Sequence, residues 1–503
     1  MMMTVENLNY SKSLNELLRD ICSVDTSINV TGVAIDSRSV QVGDLFLAYR
    51  GSTVNGVDYI DAAIHSGAVA VAIDSDVMLD IKPSSVTLVR VPGLRQRAGD
   101  IISRFYDEPS KAMQLIGVTG TNGKSTVSYM IAYALYALGK QSAVLGTLGY
   151  GPFKQIAKGS TTTPDPVTLH SLLSEWRNKI DSVVMEVSSH ALDQGRVAGT
   201  AFDIAVFTNL SRDHLDYHLT LDDYAAAKFQ LFQLQGLKHA IVNINDPYGL
   251  KLIDKIPAKI NIVAYSIQAN SAMLNDKNIA LVYCKNIETE GLQTKIKIES
   301  PWGQFAIQTS MLGSFNIDNI LAAFSTLCVA GFSADKVAET LSGFSGIPGR
   351  MEYFTAAGKP LVIVDYAHTP DALEKALLAL RPYCRGELYC VFGCGGDRDV
   401  GKRPQMGAIA EKLADHIVLT NDNPRTETAE GIIENILEGI QDKSRVTIKY
   451  DRSDAITNTF LNAHENDVVL IAGKGHENTQ QIGTSLLPFS DRELARRLTE
   501  QQS

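Results

Sequence analysis

The sequence predicts an α/β protein of three domains: a small N-terminal α/β domain over residues 1–107, a central parallel-sheet domain over 108–343, and a Rossmann-like C-terminal α/β domain over 344–503. Three observations carry this. A length of 503 residues suits about three domains of ordinary size. Strand-like apolar runs alternate with helical patterns, which implies parallel sheets with right-handed crossovers. Polar, glycine-bearing loops recur at the carboxyl ends of those runs, where such sheets collect ligands.

Composition narrows the function classes. A hydrophobic content of 45% with 20% charged residues is that of a globular protein with several cores. A net charge of -10 argues against a nucleic-acid partner, so any phosphate site must be a local basic pocket. The six cysteines, Cys22, Cys284, Cys328, Cys384, Cys390 and Cys394, form no Cys-x-x-Cys pair and read as core and loop thiols rather than zinc ligands. Met1 to Leu18 carries Glu and Asn where a signal peptide would have a basic start and an apolar centre. No apolar run approaches the roughly 18 residues of a membrane span. A cytoplasmic protein without a membrane span is expected.

In chain order, residues 1–107 hold Asp36-Ser37-Arg38, Gly43 to Tyr49 and Gly51 to Gly56, with one helix-like stretch near Tyr59 to Ser66 and nothing of catalytic type. Pro109 marks a linker, because helices end before proline. Met113 to Val118 then reads as a buried strand, and Ser125 to Leu138 as a helix. Between them lies Gly120-Thr121-Asn122-Gly123-Lys124-Ser125-Thr126. Glycines let backbone N–H groups approach phosphate oxygens, the helix N-terminus favours negative charge, Lys124 neutralises it, and Ser125 offers a hydroxyl to Mg²⁺. The general pattern wants a glycine where Val118 stands, so this is a shorter form, and the bland reading is a plain glycine-rich turn.

Further strands are predicted at Gln141–Leu148, Ser182–Val187, Asp203–Asn209 and His239–Ile244. Two of them end in Glu186 to His190 and Thr208 to His214, placing Glu186 and His214 beside the phosphate loop as candidate Mg²⁺ ligands; singly, each reads equally as a strand-end polar group. Tyr265 to Thr309 alternates polar and apolar residues like an antiparallel insertion. In the last domain, strands at Leu361–Val364, Glu387–Phe392, His416–Leu419 and Asp467–Ile471 each lead into a polar loop. Arg398, Asp422, Asn423, Arg425 and Glu477 sit on those loops, a mixture of forks and carboxylates suited to a zwitterionic amino acid, or equally a surface ion-pair network. One domain for ATP and one for an amino acid together suggest ATP-driven ligation of a carboxylate to an amine.

The chain resembles the Mur ligases of cell-wall synthesis along essentially its whole length. The resemblance runs through Asp36-Ser37-Arg38, Gly43 to Phe46, Gly120 to Lys124, Met185 to His190, Thr208 to His218 and Ala227-Lys228. It continues through Gly313-x-Phe315-Asn316-x-x-Asn319, Gly349 to Glu352, Val364 to Glu374, Gly393 to Asp399, Asp422-Asn423-Pro424-Arg425 and Gly473 to Glu477. The short phosphate loop is that family's own form.

The resemblance implies a UDP-binding domain, a central ATPase and an amino-acid-receiving domain, with UDP-MurNAc-L-Ala-D-Glu, meso-diaminopimelate and ATP as substrates, Mg²⁺ as cofactor, and a monomer. It places Ile35, Ser37, Ser52, Thr53, Val54, Thr161, Thr162, Thr163, Ser188, Gln194 and Arg196 on the UDP-muramoyl-dipeptide. The chain departs from the usual family residues at Ser52-Thr53-Val54 and at Thr161, and has Ser125 where relatives often carry Thr. Gly120 to Thr126 with Asn316, Arg350 and Asp365 would hold ATP. Arg398, Asp422, Asn423, Pro424, Arg425, Gly473 and Glu477 would surround diaminopimelate, whose distal carboxylate lysine lacks. Lys124, Glu186, His214 and Lys228 would form the catalytic set, with Ser125, Glu186, His214 and Lys228 at the metal. By itself Lys228, on a predicted helix Leu221 to Phe232, reads as a solvated surface lysine; the resemblance implies an N6-carboxylysine there, a cation turned into a carboxylate-like ligand. Other readings are a lysine-adding or folylpolyglutamate synthetase-like ligase, and a nucleotide-binding regulator without ligase activity.

Overall fold

The computed structural model describes residues 10–24, 27–51, 54–78, 86–159, 161–268 and 279–500. The N-terminal sheet has four parallel strands, Gly32–Ala34, Asp44–Ala48, Ala70–Asp74 and Thr87–Val91, in the order of the chain. Helix Leu94–Phe105 buries Leu94, Ala98, Ile101, Ile102 and Phe105 in the core of this sheet. Its small residues seat the domain on the centre. A Cβ on Gly99 would lie 2.4 Å from Ala198 O, and Ser103 Oγ donates to Gly199 O at 2.9 Å. The helix predicted near 59–66 is Ile60–His65, led in by a 3-10 turn over Gly56–Tyr59. Pro109 follows the end of helix Leu94–Phe105, in the short join to the central sheet. It starts a 3-10 turn, Pro109–Ala112, with Pro109 and Ser110 buried and Ser110 Oγ accepting from Ala201 N at 3.0 Å.

The central sheet runs, edge to edge, Gly303–Thr309, Gln293–Ser300, Ala280–Glu290, Asn261–Ser266, His239–Asn243, Ile204–Phe207, Gln114–Thr119, Ser182–Glu186, Ser142–Gly146, Gly149–Pro152. Strands from Ala280–Glu290 to Ser142–Gly146 are parallel to their neighbours in that series, and three edge strands are antiparallel. Both faces of its parallel part are covered. Alternation sends Ile116 to one core with helices Lys124–Ala137 and Ser314–Val329, and Leu115 to the other with helices Pro166–Trp176 and Leu221–Phe229. The antiparallel run expected over 265–309 is present from Ala280 to Thr309, and it is continuous with the central sheet. Tyr265 belongs to a parallel strand, and the alternating run after it extends the same sheet by three strands, Ala280–Glu290, Gln293–Ser300 and Gly303–Thr309. Alternation of this kind marks a sheet with one wet face, which an edge extension also has.

The C-terminal sheet has the order Glu352–Phe354, Leu361–Asp365, Val468–Ala472, Leu388–Phe392, His416–Leu419, Val446–Ile448, parallel apart from the first strand. The last of these strands in the chain, Val468–Ala472, sits between the two that come earlier, so the loop after it opens at the switch point of the sheet. An ion pair pins it from outside. Arg452 and Asp491, both fully buried, make two bonds of 2.8 Å, and Arg452 also donates to Ala472 O at 2.9 Å.

Candidate active site

The phosphate loop leaves the middle of the central sheet in a conformation its glycines permit. Gly120 has φ +147° and Gly123 φ +84°; a Cβ on Gly120 would meet Thr208 Oγ1 at 1.9 Å, and one on Gly123 would meet Asn319 Oδ1 at 2.6 Å. Neighbouring strand ends hold the loop in place. Thr121 N donates to Asn209 O at 2.9 Å, Asn122 N to Asn209 Oδ1 at 2.9 Å, and Thr208 Oγ1 to Asn122 O at 2.6 Å.

Two lysines converge on one carbonyl. Lys124 Nζ donates to Gly120 O at 2.9 Å and Thr121 O at 2.8 Å, and Lys228 Nζ donates to the same Gly120 O at 2.8 Å. Lys228 is 1% exposed, so it is not a surface residue. Helix Leu221–Phe229 turns it inward over the Tyr224 ring, 4.3 Å from its centroid. Burial, then the charge of Lys124, holds the Lys228 ammonium well below its ordinary pKa; burial also lowers that of Lys124 against the pull of Glu186 and Asp213. Neither lysine has a carboxylate within ion-pair distance among the described residues. Burial disfavours the charged form of both amines, and an anion placed between them would favour it.

Glu186 ends its strand 1% exposed. Its oxygens accept from Ser125 Oγ at 3.0 Å, Thr147 N at 2.9 Å and Thr147 Oγ1 at 3.2 Å. A carboxylate beside a helix-start hydroxyl is a hard oxygen pair of the kind Mg²⁺ takes. His214 lines the same cavity, on a left-handed residue (φ 53°), with its ring 4.8 Å from that of His190. Among the described residues no three His, Cys, Asp or Glu side chains gather to hold an ion unaided. A metal here would take the rest of its sphere from phosphate oxygens and water.

The cavity, about 310 Å³, lies between two domains. Lys124, Ser125, Glu186, His214, Tyr265, Phe315, Asn316 and Asn319 come from the central domain, and Arg350, Asp365, Tyr366 and Ala376 from the last. Arg350 lies over the Tyr366 ring at 4.4 Å and reaches Ser125 Oγ at 3.4 Å. Burial raises the Asp365 carboxyl despite the Arg350 charge, and it accepts from Met351 N at 2.7 Å. Asn316, 3% exposed, bonds Leu312 O at 2.7 Å and Asn319 at 2.9 Å. Those two amides are therefore already fixed to one another.

Along the other side of Glu186 runs a polar strip. Thr162 Oγ1 touches Thr147 Oγ1 at 3.1 Å; Thr163 Oγ1 bonds Glu186 O at 2.8 Å and accepts from Ser188 N at 3.0 Å. Arg196 is turned onto Gln194 Oε1 at 2.9 and 2.6 Å and onto Thr163 O at 3.2 Å. The structure thus gathers Thr161, Thr162, Thr163, Ser188, Gln194 and Arg196. On the N-terminal domain, Ser37 is 8% exposed in a 3-10 turn after Ile35, and Val54 is 51% exposed. Ser52 and Thr53 lie outside the described residues. Burial also pushes the Tyr49 hydroxyl of this domain up to about 12, with the charges of Asp165, Arg95 and Arg196 acting on it.

At the C-terminal edge the sequence-predicted residues also come together. Asn423 Nδ2 donates to Glu477 Oε2 at 2.9 Å, and a Cβ on Gly473 would lie 2.6 Å from Asp422 Oδ2. Both arginines abut the Gly393–Gly396 turn: a Cβ on Gly395 would meet Arg425 Nη1 at 2.9 Å and Arg398 Cγ at 3.7 Å. Arg425 is left-handed (φ 53°), held by Gly483 N donating to its carbonyl at 2.8 Å while Nη1 donates to Gly396 O at 2.6 Å. Pro424 precedes it, its carbonyl against Gly396.

One residue central to this edge was not among the sequence candidates. Lys474, fully buried, donates to Asn423 Oδ1 at 3.0 Å and Glu477 Oε2 at 2.7 Å. Burial alone would raise the Glu477 carboxyl; the Lys474 ammonium and Asn423 amide outweigh it and leave it below its ordinary value. Burial raises the Asp422 carboxyl, against Arg452 and Lys474. Lys474 was visible in the Gly-Lys-Gly-His-Glu run, where its flanking glycines hinted at an enclosed position. No such signal announces Arg403, which is 1% exposed and grips Glu427 at 2.7 and 2.8 Å behind the arginine loop.

Comparison with known proteins follows this division of the chain. Residues 29–106 match the model of the Mur ligase family, catalytic domain; 118–327 match the Mur ligase middle domain; 349–475 match the Mur ligase glutamate ligase domain. A Coxiella burnetii protein called UDP-N-acetylmuramoyl-L-alanyl-D-glutamate–2,6-diaminopimelate ligase is 46% identical over 94% of this chain and 96% of its own. A Pseudomonas aeruginosa protein of the same name is 44% identical over 96% of this chain and 97% of its own. A solved structure with that name superposes with TM-score 0.71 at 35% identity, covering 97% of this chain and 99% of that one.

Proposed function

The chain belongs to the Mur ligase family, and we propose on that premise that it adds meso-2,6-diaminopimelate to the D-glutamyl γ-carboxylate of UDP-MurNAc-L-Ala-D-Glu, with ATP as the driving substrate. The observation that carries the mechanism is the cavity in which the phosphate loop and the C-terminal sheet meet. It supports a division of labour: the N-terminal domain for the uridine nucleotide, the central one for ATP, the last for the amino acid. Because one chain supplies every wall, a monomer suffices, and ATP as substrate fits a cytoplasmic setting.

In this reading the γ-phosphoryl group passes from ATP to the D-glutamyl carboxylate, giving an acyl phosphate and ADP. The amine of diaminopimelate attacks the acyl carbon, and the tetrahedral species expels phosphate and loses a proton to leave an amide. Lys124 neutralises charge that grows on the phosphoryl oxygens, and the loop N–H groups orient them. Mg²⁺, when bound, adds further neutralisation, and the hard oxygens of Ser125 and Glu186 fit it. His214 and a carboxylated Lys228 complete the proposed set. An ammonium is no metal ligand, but burial favours the neutral Lys228 amine, whose lone pair can take up CO₂ with loss of a proton to become an anionic oxygen donor. On the far edge Arg425 and Arg398 would take the distal carboxylate of diaminopimelate, and Asp422, Asn423 and Glu477 its ammonium.

The test is phosphate release from ATP with UDP-MurNAc-L-Ala-D-Glu, with diaminopimelate or L-lysine supplied separately in the presence of Mg²⁺ and bicarbonate. Release with diaminopimelate and little with lysine is expected. Equal use of lysine would remove the role given to Arg425, and silence with both would remove the ligase reading.

A further inference from the structure

Asp371 lies in none of the groups above. It is the second residue of helix Pro370–Leu380 of the C-terminal domain, capped by Thr369, whose Oγ1 accepts from Ala372 N. Its carboxylate leaves its own domain. Asp371 Oδ2 accepts from Asn122 Nδ2 of the phosphate loop at 2.6 Å and from Ser211 Oγ of the loop after strand Ile204–Phe207 at 3.0 Å. Lys375, one turn along the same helix, approaches it at 2.9 Å. The carboxylate is 26% exposed, so three donors and the packing around them cover most of it.

The two central-domain loops are themselves one unit. Thr121 Oγ1 accepts from Ser211 N at 3.0 Å, and Asn122 is bonded through both its N–H and its carbonyl to Asn209 and Thr208. Holding Asn122 and Ser211 together therefore fixes the C-terminal helix against the loop that binds phosphate and against the segment leading to His214. The same helix carries Ala372 and Ala376, which line the shared cavity.

We propose that Asp371 is a positioning residue that ties the C-terminal domain to the phosphate loop, so that nucleotide in the central domain and acceptor amine in the last are held in one geometry. This rests on the ligase reading for its consequence in catalysis, though not for the tie itself. Phosphoryl transfer and amine attack are set by alignment, and a displacement of about 1 Å costs rate steeply. The competing explanation is local: an acidic residue in a first turn also stabilises its own helix through the dipole.

The experiment compares the full-length protein with Asp371→Asn and Ser211→Ala. It measures steady-state phosphate release, the radius of gyration by small-angle scattering with a non-hydrolysable ATP analogue, and the thermal midpoint. Asp371→Asn is expected to lower kcat about tenfold or more, the loss of a hydrogen-bonded charge, and to expand the nucleotide-loaded protein. Ser211→Ala, which leaves the helix untouched, should move both readouts the same way by a smaller factor. The double variant should be no worse than Asp371→Asn, because both changes cut one connection. A purely helical role would lower the thermal midpoint while leaving kcat and size unchanged, and that result overturns the proposal. Should Asp371→Asn not fold, Ser211→Ala with wild-type kcat and size overturns it equally. If the wild-type protein makes no amide yet the scattering contrast persists, the ligase reading fails and the tie stands.

Discussion

The phosphate edge of the central sheet and the amino-acid edge of the C-terminal sheet are built alike and charged differently. Each is the carboxyl end of parallel strands with glycine turns at a switch point. At the first, Lys124 and Lys228 share the Gly120 carbonyl and no carboxylate lies within ion-pair distance among the described residues. At the second, charge is already matched: Lys474 with Glu477, Arg403 with Glu427, Arg452 with Asp491. One edge waits for an anion to complete it. The other is a finished frame that presents Arg398 and Arg425 beyond it. The same residue type should therefore fail in different ways at the two edges.

Lys228→Ala should produce the largest effect. Activity is expected to fall on the order of 10³-fold, the loss of one group aimed at transition-state charge. The thermal midpoint should hold or rise, because a buried amine without a counter-ion is removed. Steady-state rates and a melting curve on the same preparation check this. Partial recovery of rate on adding formate or acetate would locate the missing function in an anionic oxygen donor. A variant that melts early but retains its rate would make Lys228 structural.

Lys474→Met should do the reverse. It removes the cation bonded to Glu477, in a partly covered position (31% exposed), leaving only the more distant charge of Arg452, and on the order of 2 kcal/mol of stability should go after discounting for solvent. The midpoint should drop by several degrees while the rate at low temperature with saturating diaminopimelate stays within a few-fold. A rate loss without a stability loss would place Lys474 on the substrate instead.

How far the sequence revealed this contrast follows from what each residue type advertises. The glycine spacing before Lys124 marks a phosphate loop because few other folds need it, and the strands around it were legible from apolar runs. Their ends shifted by at most two residues, since hydrogen bonding rather than composition sets them. Tyr265 to Thr309 gave its antiparallel strands but not their place on the central sheet, because alternation reports a wet face and not where the strand pairs. Pro109 was legible as the join after helix Leu94–Phe105, but that the join is packed as a buried 3-10 turn was not, because proline ends a helix whether the next residues are loose or packed. Lys228 showed no periodic signal of burial, as a lysine among alanines on a helix looks solvated until a carbonyl is found beneath it. Lys474, Arg403 and Asp371 depend on residues 3 to 249 positions away. Only the Lys474–Glu477 pair is local; no local pattern encodes the others.

Arg425→Lys tests the frame from its presented side. A lysine keeps the charge but loses the planar fork and fits the left-handed backbone no better. The KM for diaminopimelate should rise roughly tenfold or more with kcat little changed, and the preference over L-lysine should narrow. A kcat loss at constant KM would mean that Arg425 acts on the reacting end.

The smallest effect concerns charge stored away from either edge, at the far end of the shared cavity. Asp318, in helix Ser314–Val329, accepts from Asn245 Nδ2 at 2.8 Å. Burial pushes its carboxyl from 3.8 up to about 7; the Asn245 bond and the charge of Lys375 oppose this, and Asp246 reinforces it. Below about pH 4 the folded and unfolded chains both hold the proton, and Asp318 contributes nothing to the pH dependence. Between about 4 and 7 only the folded chain holds it, so stability falls as pH rises, and above about 7 the full penalty is present. Asp318→Asn keeps an oxygen for Asn245 and removes the titration. The variant should melt together with the wild type near pH 4 and be more stable by on the order of 1 kcal/mol at pH 8, after allowing for water at the cavity mouth. Thermal midpoints at several pH values decide it: a constant difference between variant and wild type would mean that Asp318 is ionised in the folded protein throughout. The central domain would then hold a second unpaired carboxylate beside Asp246, and the contrast drawn between its cationic edge and the matched C-terminal edge would apply to the phosphate loop alone.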